Sequence, residues 1–141
     1  MFELSRRAAL AGLGAAATLG GPARAQGQPT IRIGVLSDMS GPYRDISGPG
    51  CVAAARQAVQ DFAAASGLNV EILQADHQNK ADVGLNIARQ WFDRDGVDAI
   101  TDVNNSGIAF ALNGLAREKN KAHINSGAAS VDFTGPHCSP N

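Results

Sequence analysis

The sequence lacks the motifs that several common activities require. It contains neither G-x-x-x-x-G-K-[ST] nor G-x-G-x-x-G, which argues against nucleotide binding. It has no nucleophile elbow with a Ser/His/Asp order, and its three histidines are not spaced as a metal-binding set. Aromatic residues make up only 5%, and this scarcity favours small side chains packed tightly between helices and a sheet. We therefore predict a protein that is not an enzyme and that needs no cofactor or metal.

The N-terminus has the three parts of an export signal. A basic pair, Arg6-Arg7, precedes an apolar run at 8–19, and small residues flank a predicted cleavage point after Ala25. The run is too short and too rich in Gly and Ala to span a bilayer. The arginine pair resembles the twin-arginine export motif, although adjacent arginines also occur in general secretory signals. Residues 1–25 are thus predicted to be a signal peptide and 26–30 a short linker, which places the mature protein in the periplasm.

The charge of the mature part excludes nucleic acid as a partner. The chain has 12 Lys+Arg and 13 Asp+Glu, of which three arginines and one glutamate fall within residues 1–25. The remainder has a formal charge of −3. A protein that binds nucleic acid through its phosphates carries a positive patch instead.

Two hydrophobic periods alternate after the signal and define the fold class. Short runs rich in β-branched residues predict strands, and stretches with a 3.6-residue period predict helices. The predicted strands are 31–36, 70–73, 97–103 and 121–125, and the predicted helices follow at 51–66, 82–93 and from residue 105. This order predicts an α/β domain, an open parallel sheet with helices on both faces, spanning 31–141. Right-handed crossovers bring the carboxyl ends of all strands to one edge, where such sheets bind ligands.

The loops at that edge carry few side chains suited to catalysis. Asp38 is predicted to make a turn hydrogen bond, and Tyr43 lies beside a proline where an aromatic ring can cover a bound molecule or pack on its own loop. Asn105 and Ser106 open a helix, where free backbone N–H groups favour a small carboxylate and where the same residues also serve as caps. A second small polar segment, 126–130, follows the fourth strand.

The two cysteines, Cys51 and Cys138, are predicted to lie near the same edge of the sheet. An oxidising compartment permits them to form a disulfide. The sequence leaves open whether their Cα atoms come within bonding distance.

Six segments, in order across residues 31–130, make the chain resemble a known family. They read I-R-I-G-V-L-S-D-M-S-G-P-Y, A-D-H-Q-N-K-A-D-V-G, A-R-Q-W-F, N-N-S-G-I-A, A-R-E-K-N-K and N-S-G-A-A-S. The mature chain resembles the N-terminal lobe of periplasmic solute-binding proteins of the leucine-binding (branched-chain amino-acid-binding) type, which have the type 1 periplasmic binding fold. The resemblance implies a non-enzymatic subunit of an ABC importer that captures a small solute for an inner-membrane permease.

The resemblance also implies where ligand would bind. In this family the ligand's carboxylate is held by a serine after the third strand and by donors of the small-residue loop after the fourth. These roles fall on Ser106, with Asn105, and on Ala128 and Ser130, the Ala128 carbonyl receiving the ammonium. Tyr43 falls in the loop that covers the ligand side chain.

Two departures from the family keep other interpretations open. The D-M-S-G-P-Y-R-D and D-H-Q-N-K wording is typical of a branch whose ligands include aromatic and other small carboxylates as well as amino acids. The family is two to three times longer, so the chain is expected to be truncated and to lack the second lobe of the ligand clamp. The alternatives to an importer subunit are a periplasmic ligand-sensing module and a non-functional fragment.

Overall fold

The computed structural model describes residues 29–141. The predicted signal peptide and all but the end of the predicted linker lie outside these described residues. Among residues 29–141, no helix combines the length and apolar character needed to cross a bilayer.

The described residues form four strands, three longer helices and two short helical segments. The strands are β1 (Thr30–Ser37), β2 (Asn69–Asp76), β3 (Ala99–Thr101) and β4 (Ala122–Ile124). The helices are α1 (Pro49–Ser66), α2 (Ala81–Gln90) and α3 (Ser106–Lys119), with a π-helical turn at Trp91–Asp95 and a 3-10 helix at Val131–Thr134. The predicted α/β class and the order of its elements are confirmed.

All four strands are parallel and lie in the order β2-β1-β3-β4. The chain moves to one side of β1 to form β2 and then crosses back to form β3 on its other side. With right-handed crossovers, this reversal puts α1 on one face of the sheet and α2 and α3 on the other. The reversal also opens a crevice beyond the carboxyl ends of β1 and β3, the topological switch point of the sheet.

The main core lies between the sheet and the α2–α3 layer. It contains Leu36 and Ile100 from the strands, Ile108 and Leu112 from α3, and the indole of Trp91, all buried. The apolar face of α3 is therefore the one that packs against the sheet. The predicted helix at 82–93 ends earlier, because the backbone widens to a π-helical turn that begins at Trp91 and is stopped by Gly96 in the left-handed conformation.

The face of the sheet under α1 is less fully covered. Val52 is buried, but Phe62, which the helical period of α1 puts on the same face, is 71% exposed. Phe62 borders an apolar groove of about 390 Å³ between α1 and the sheet. Ile33, Ile72 and Ile124 also line this groove. The helical period of α1 was predicted correctly, but a period cannot show how far a helix covers the sheet beneath it.

Candidate functional site

A cleft of about 460 Å³ opens at the carboxyl edge of the sheet. Its walls come from the loop after β1, the start of α1, the loop after β3 with the start of α3, and the loop after β4. The lining residues are Tyr43, Ile46, Ser47, Cys51, Asp102, Asn104, Ser106, Ser126, Gly127 and Ala129. The cleft thus lies where the topology predicts a ligand site.

A buried carboxylate shapes the loop after β1. Asp38 follows β1, is fully buried, and accepts hydrogen bonds from the backbone N–H groups of Gly41 (2.8 Å) and Tyr43 (3.0 Å). A Cβ at position 41 would lie 2.5 Å from the Asp38 carboxylate, so only glycine permits this close approach. The predicted turn role of Asp38 is confirmed, and its result is that Tyr43 is held at the mouth of the cleft.

A chain of hydrogen bonds at the base of the cleft connects the loops that follow β1, β2 and β3. The Asn79 backbone N–H donates to His77 Nδ1 (3.0 Å), so this nitrogen is unprotonated and Nε2–H donates to Asn104 Oδ1 (2.9 Å). Asn104 Nδ2 donates to Ser47 Oγ, which in turn donates to the Tyr43 carbonyl oxygen (3.3 Å). The network therefore links the loops after β2 and β3 to the loop that carries Tyr43.

His77 is the residue of this network whose burial could not be recognised from the sequence. Its neighbours in sequence are typical of a loop, but its side chain is fully buried. Burial lowers its pKa, opposed by the hydrogen bond to Asn104 and by the charges of Asp38 and Asp76. The neutral ring is required because a proton on Nδ1 would remove the acceptor for the Asn79 N–H. The sequence around His77 is polar and typical of loops, so it gives no indication that the ring is buried.

Replacing Asn104 by alanine tests the network. The substitution leaves the buried His77 Nε2–H without a partner and removes one hydrogen bond of Ser47 Oγ, so we expect the free energy of unfolding to fall by about 1–3 kcal/mol. The matched control is Asn86→Ala, at an exposed position of α2, where a change within about 0.5 kcal/mol is expected. Urea unfolding measures both, and equal effects of the two substitutions would contradict the proposed network.

The two site residues predicted at the start of α3, Asn105 and Ser106, have different surroundings. Asn105 caps the helix by accepting from the Ile108 N–H (3.1 Å), and its amide donates to Asn79 Oδ1 (2.7 Å). Its side chain is therefore used inside the protein, and it does not line the cleft. Ser106 does line the cleft. The first intrahelical bond runs from Ala109 N–H to the Asn105 carbonyl, so the backbone N–H groups of Ser106 and Gly107 precede the helical ladder.

The loop after β4 presents different residues from those predicted. The Ala128 N–H donates to Asn125 Oδ1 (2.8 Å), and its carbonyl accepts from Asn125 Nδ2 (3.0 Å). Its methyl group packs against the main core, and Ser130 caps the 3-10 helix by accepting from the Asp132 N–H. Ala128 and Ser130 therefore do not line the cleft, whereas Ser126, Gly127 and Ala129 do. Sequence reasoning found the segment but could not show which of its residues face outward.

Asp102 is a further functional candidate that was not among the predicted site residues. It directly follows β3, has φ 63°, in the left-handed region, and is 4% exposed. Its Oδ2 is buried without a hydrogen-bond partner. The signal available in the sequence was an aspartate directly after a strand of the predicted binding edge.

The two thiols are free, so the disulfide permitted by the sequence is not formed. Cys51 lies in the cleft, whereas Cys138 lines a separate pocket with Phe110 and Arg117 of α3. Across residues 29–141, no group of three His, Cys, Asp or Glu side chains is arranged to hold a metal ion.

Solved structures with this arrangement come from solute-binding proteins. A Burkholderia mallei periplasmic binding protein is 43% identical, with a TM-score of 0.74 over 79% of this chain and 30% of its own. A branched-chain amino acid ABC transporter periplasmic ligand-binding protein from Burkholderia xenovorans LB400 is 48% identical, with a TM-score of 0.73 over 77% of this chain and 29% of its own. An R. palustris ABC transporter solute-binding protein in complex with benzoate shares the fold at 20% identity, with a TM-score of 0.70 over 79% of this chain and 31% of its own.

The chain spans about 30% of the length of these relatives. A comparison with curated proteins gave no match. The model of one sequence family, described as periplasmic binding protein, matches residues 30–141, which include every described element of the fold. The α/β lobe with its cleft at the switch point therefore belongs to the periplasmic binding protein family.

Proposed function

We propose that the chain is the solute-binding lobe of an ABC importer component, acting in the periplasm without enzymatic activity. Its edge cleft takes up a small solute, an amino acid or another small carboxylate, which is delivered to a permease in the inner membrane. The observation that carries the proposal is the cleft itself, which joins an aromatic ring, hydroxyl groups and a helix start at one topological switch point.

The composition of the cleft suits a small ligand with both apolar and polar parts. Tyr43 and Ile46 offer apolar surface on one side, and Ser106 and Ser126 offer hydroxyl groups on the other. Such a mixture of apolar lining with a few polar groups is typical of small-molecule sites. The names of the relatives support a solute of this class, since one is called a branched-chain amino acid ligand-binding protein and another is bound to benzoate.

The predicted site residues have two proposed roles, depending on whether they line the cleft. Tyr43 and Ser106 are proposed to contact ligand, Tyr43 over its apolar part and Ser106 with the neighbouring N–H groups at its carboxylate. Asn105, Ala128 and Ser130 are proposed to support the loops that bear these contacts, because their polar groups are already hydrogen-bonded within the chain.

Two serine substitutions test this division. We expect Ser106→Ala to weaken binding of a small carboxylate about threefold to tenfold, the loss of one or two hydrogen-bond equivalents. Ser130→Ala is the matched control and should leave affinity unchanged, because its hydroxyl caps the 3-10 helix outside the cleft. Titration calorimetry at high ligand concentration measures both variants.

The openness of the cleft sets the expected affinity. Small-molecule sites usually bury most of the ligand surface, whereas this cleft is open on one side, so we expect a Kd of about 1 mM or weaker. Unchanged affinity in Ser106→Ala, or equal losses in the two serine variants, would contradict the assigned role of Ser106.

A further inference from the structure

Asp102 is a charged group that the cleft does not neutralise. The side chain is 4% exposed, and Oδ2 is buried with no hydrogen-bond partner. Among the cleft-lining residues that the structure describes, it is the one with a charged side chain. Withdrawing a carboxylate from water without a donor is strongly unfavourable, so such a group requires a partner.

The carboxylate is flanked by two other residues of the cleft wall. On one side, a Cβ built on Gly127 would lie 3.1 Å from Asp102 Oδ1 and 2.9 Å from the Asn104 Cα, so a side chain at this position would press against the carboxylate and the Asn104 backbone. On the other side is the thiol of Cys51. Burial first, and then the hydrogen bond and charge of Asp102, raise the pKa of that thiol to about 11. A protonated thiol is only a weak donor, so it does not replace a full hydrogen-bond partner.

The backbone holds Asp102 in a conformation that few residues adopt. Its φ of 63° lies in the left-handed region, which aspartate and asparagine tolerate better than other side chains. Residues kept in this region concentrate at functional sites. The positive φ turns the backbone out of the strand directly after the last paired residue of β3, Thr101.

We propose that Asp102 binds a protonated amine of the ligand, so that the solute taken by this lobe is an amino-bearing acid and not a simple carboxylate. A cationic nitrogen would supply both the missing donor and the missing charge, and charge-assisted hydrogen bonds are stronger than neutral ones. This assignment moves the amine from the Ala128 carbonyl, which already accepts from Asn125 Nδ2, to Asp102.

The carboxylate end of the same ligand would then lie toward the start of α3. Ser106 and the free N–H groups beside it favour a negative charge, whereas Asp102 repels one. The cleft thereby has a negative and a positive pole. This inference rests on the proposed function and adds to it the chemical class of the solute.

Matched ligands that differ only in the amine test the inference on the 141-residue chain. The pairs are L-leucine with 4-methylpentanoate and 4-(aminomethyl)benzoate with 4-methylbenzoate, titrated while amide NMR shifts of Cys51, Ser106 and Gly127 are recorded. We expect the amino-bearing member of at least one pair to bind about tenfold more tightly or better. In Asp102→Asn this preference should fall to about twofold or less.

The Asp102→Asn variant distinguishes failure of the amine-binding inference from failure of the proposed solute-binding function. Asparagine tolerates the left-handed conformation and keeps the shape of aspartate, and an unchanged circular dichroism spectrum verifies that Asp102→Asn is folded. Cleft binding with no preference for the amine, or a preference that survives Asp102→Asn, overturns the inference and leaves the proposed function standing. No cleft shifts with any of the four ligands overturns both.

Discussion

Replacing Trp91 by alanine is expected to reduce the free energy of unfolding by about 3–5 kcal/mol, the usual loss for a large buried aromatic residue. Trp91 is 6% exposed and packs its indole directly over Gly34 in the middle of β1. The cavity left by the ring would open between β1 and the π-helical turn. Urea unfolding followed by far-UV circular dichroism measures the loss.

The same contact predicts the effect of adding a methyl group on the strand. A Cβ at position 34 would overlap Cζ3 of the indole, so Gly34→Ala should destabilise the fold by about 1–3 kcal/mol through overpacking. Gly114→Ala is the matched control, since a Cβ there meets nothing within 4 Å and glycine is unfavourable inside a helix such as α3. We expect it to raise stability by up to about 1 kcal/mol. Equal effects of the two substitutions would contradict the described packing.

The second large effect is expected on acidification. His123 of β4 is 8% exposed, its Nδ1 is hydrogen-bonded to Asn113 of α3, and its Nε2 is buried without a partner. Burial lowers the pKa of the ring to about 4, from an ordinary value of 6.5. Between these pH values the unfolded chain binds a proton that the folded chain does not. Stability is therefore full above pH 6.5 and decreases by about 3 kcal/mol as the pH falls to about 4.

His77 adds to this loss in the same direction, because burial lowers its pKa as well. Asp76 and Asp98 also have lowered pKa values, but their contribution is lost only below the ordinary carboxyl value of 3.8. The interval from pH 6.5 to 4 therefore reports on the histidines.

A pair of substitutions isolates the contribution of His123. His123→Gln keeps a group that can bond Asn113 but cannot titrate, so the decrease in urea stability between pH 7 and pH 4.5 should shrink by about half or more. His137→Gln is the control at an exposed histidine and should leave the pH dependence as it was. A pH profile that is the same in both variants would contradict the buried, neutral state of His123.

Most of the fold was predictable because it depends on patterns local to the chain. The apolar period of α3 and the β-branched run of β1 specify their elements through nearby residues, and the parallel sheet then follows from their alternation. The lengths of β3 and β4 were not predictable in this way. Residues 97–103 form a continuous run suited to a strand, but only Ala99–Thr101 pair with β1, because the chain turns at Asp102 with a positive φ.

The location of the candidate site was predictable from the sequence, but the orientation of several of its side chains was not. The loops that form it were found from the topology, and Tyr43 and Ser106 line the cleft. The orientation of Ala128 and Ser130 depends on the hydrogen bonds of Asn125 and of the 3-10 helix, which only the folded loop reveals. The burial of His77 and Asp102 likewise depends on contacts between segments far apart in sequence, so residue type and local spacing gave no sign of it.

The most direct test of the proposed function is to locate ligand contacts on the folded chain. Amide NMR spectra of the 141-residue protein would be recorded during titration with L-leucine and with 4-(aminomethyl)benzoate. We predict concentration-dependent shifts at Tyr43, Ser106 and Gly127, around the edge cleft, with the groove beside Phe62 unaffected. Shifts confined to that groove, or an absence of shifts with both ligands and with their amine-free counterparts, would contradict the assignment of the cleft as a solute-binding site.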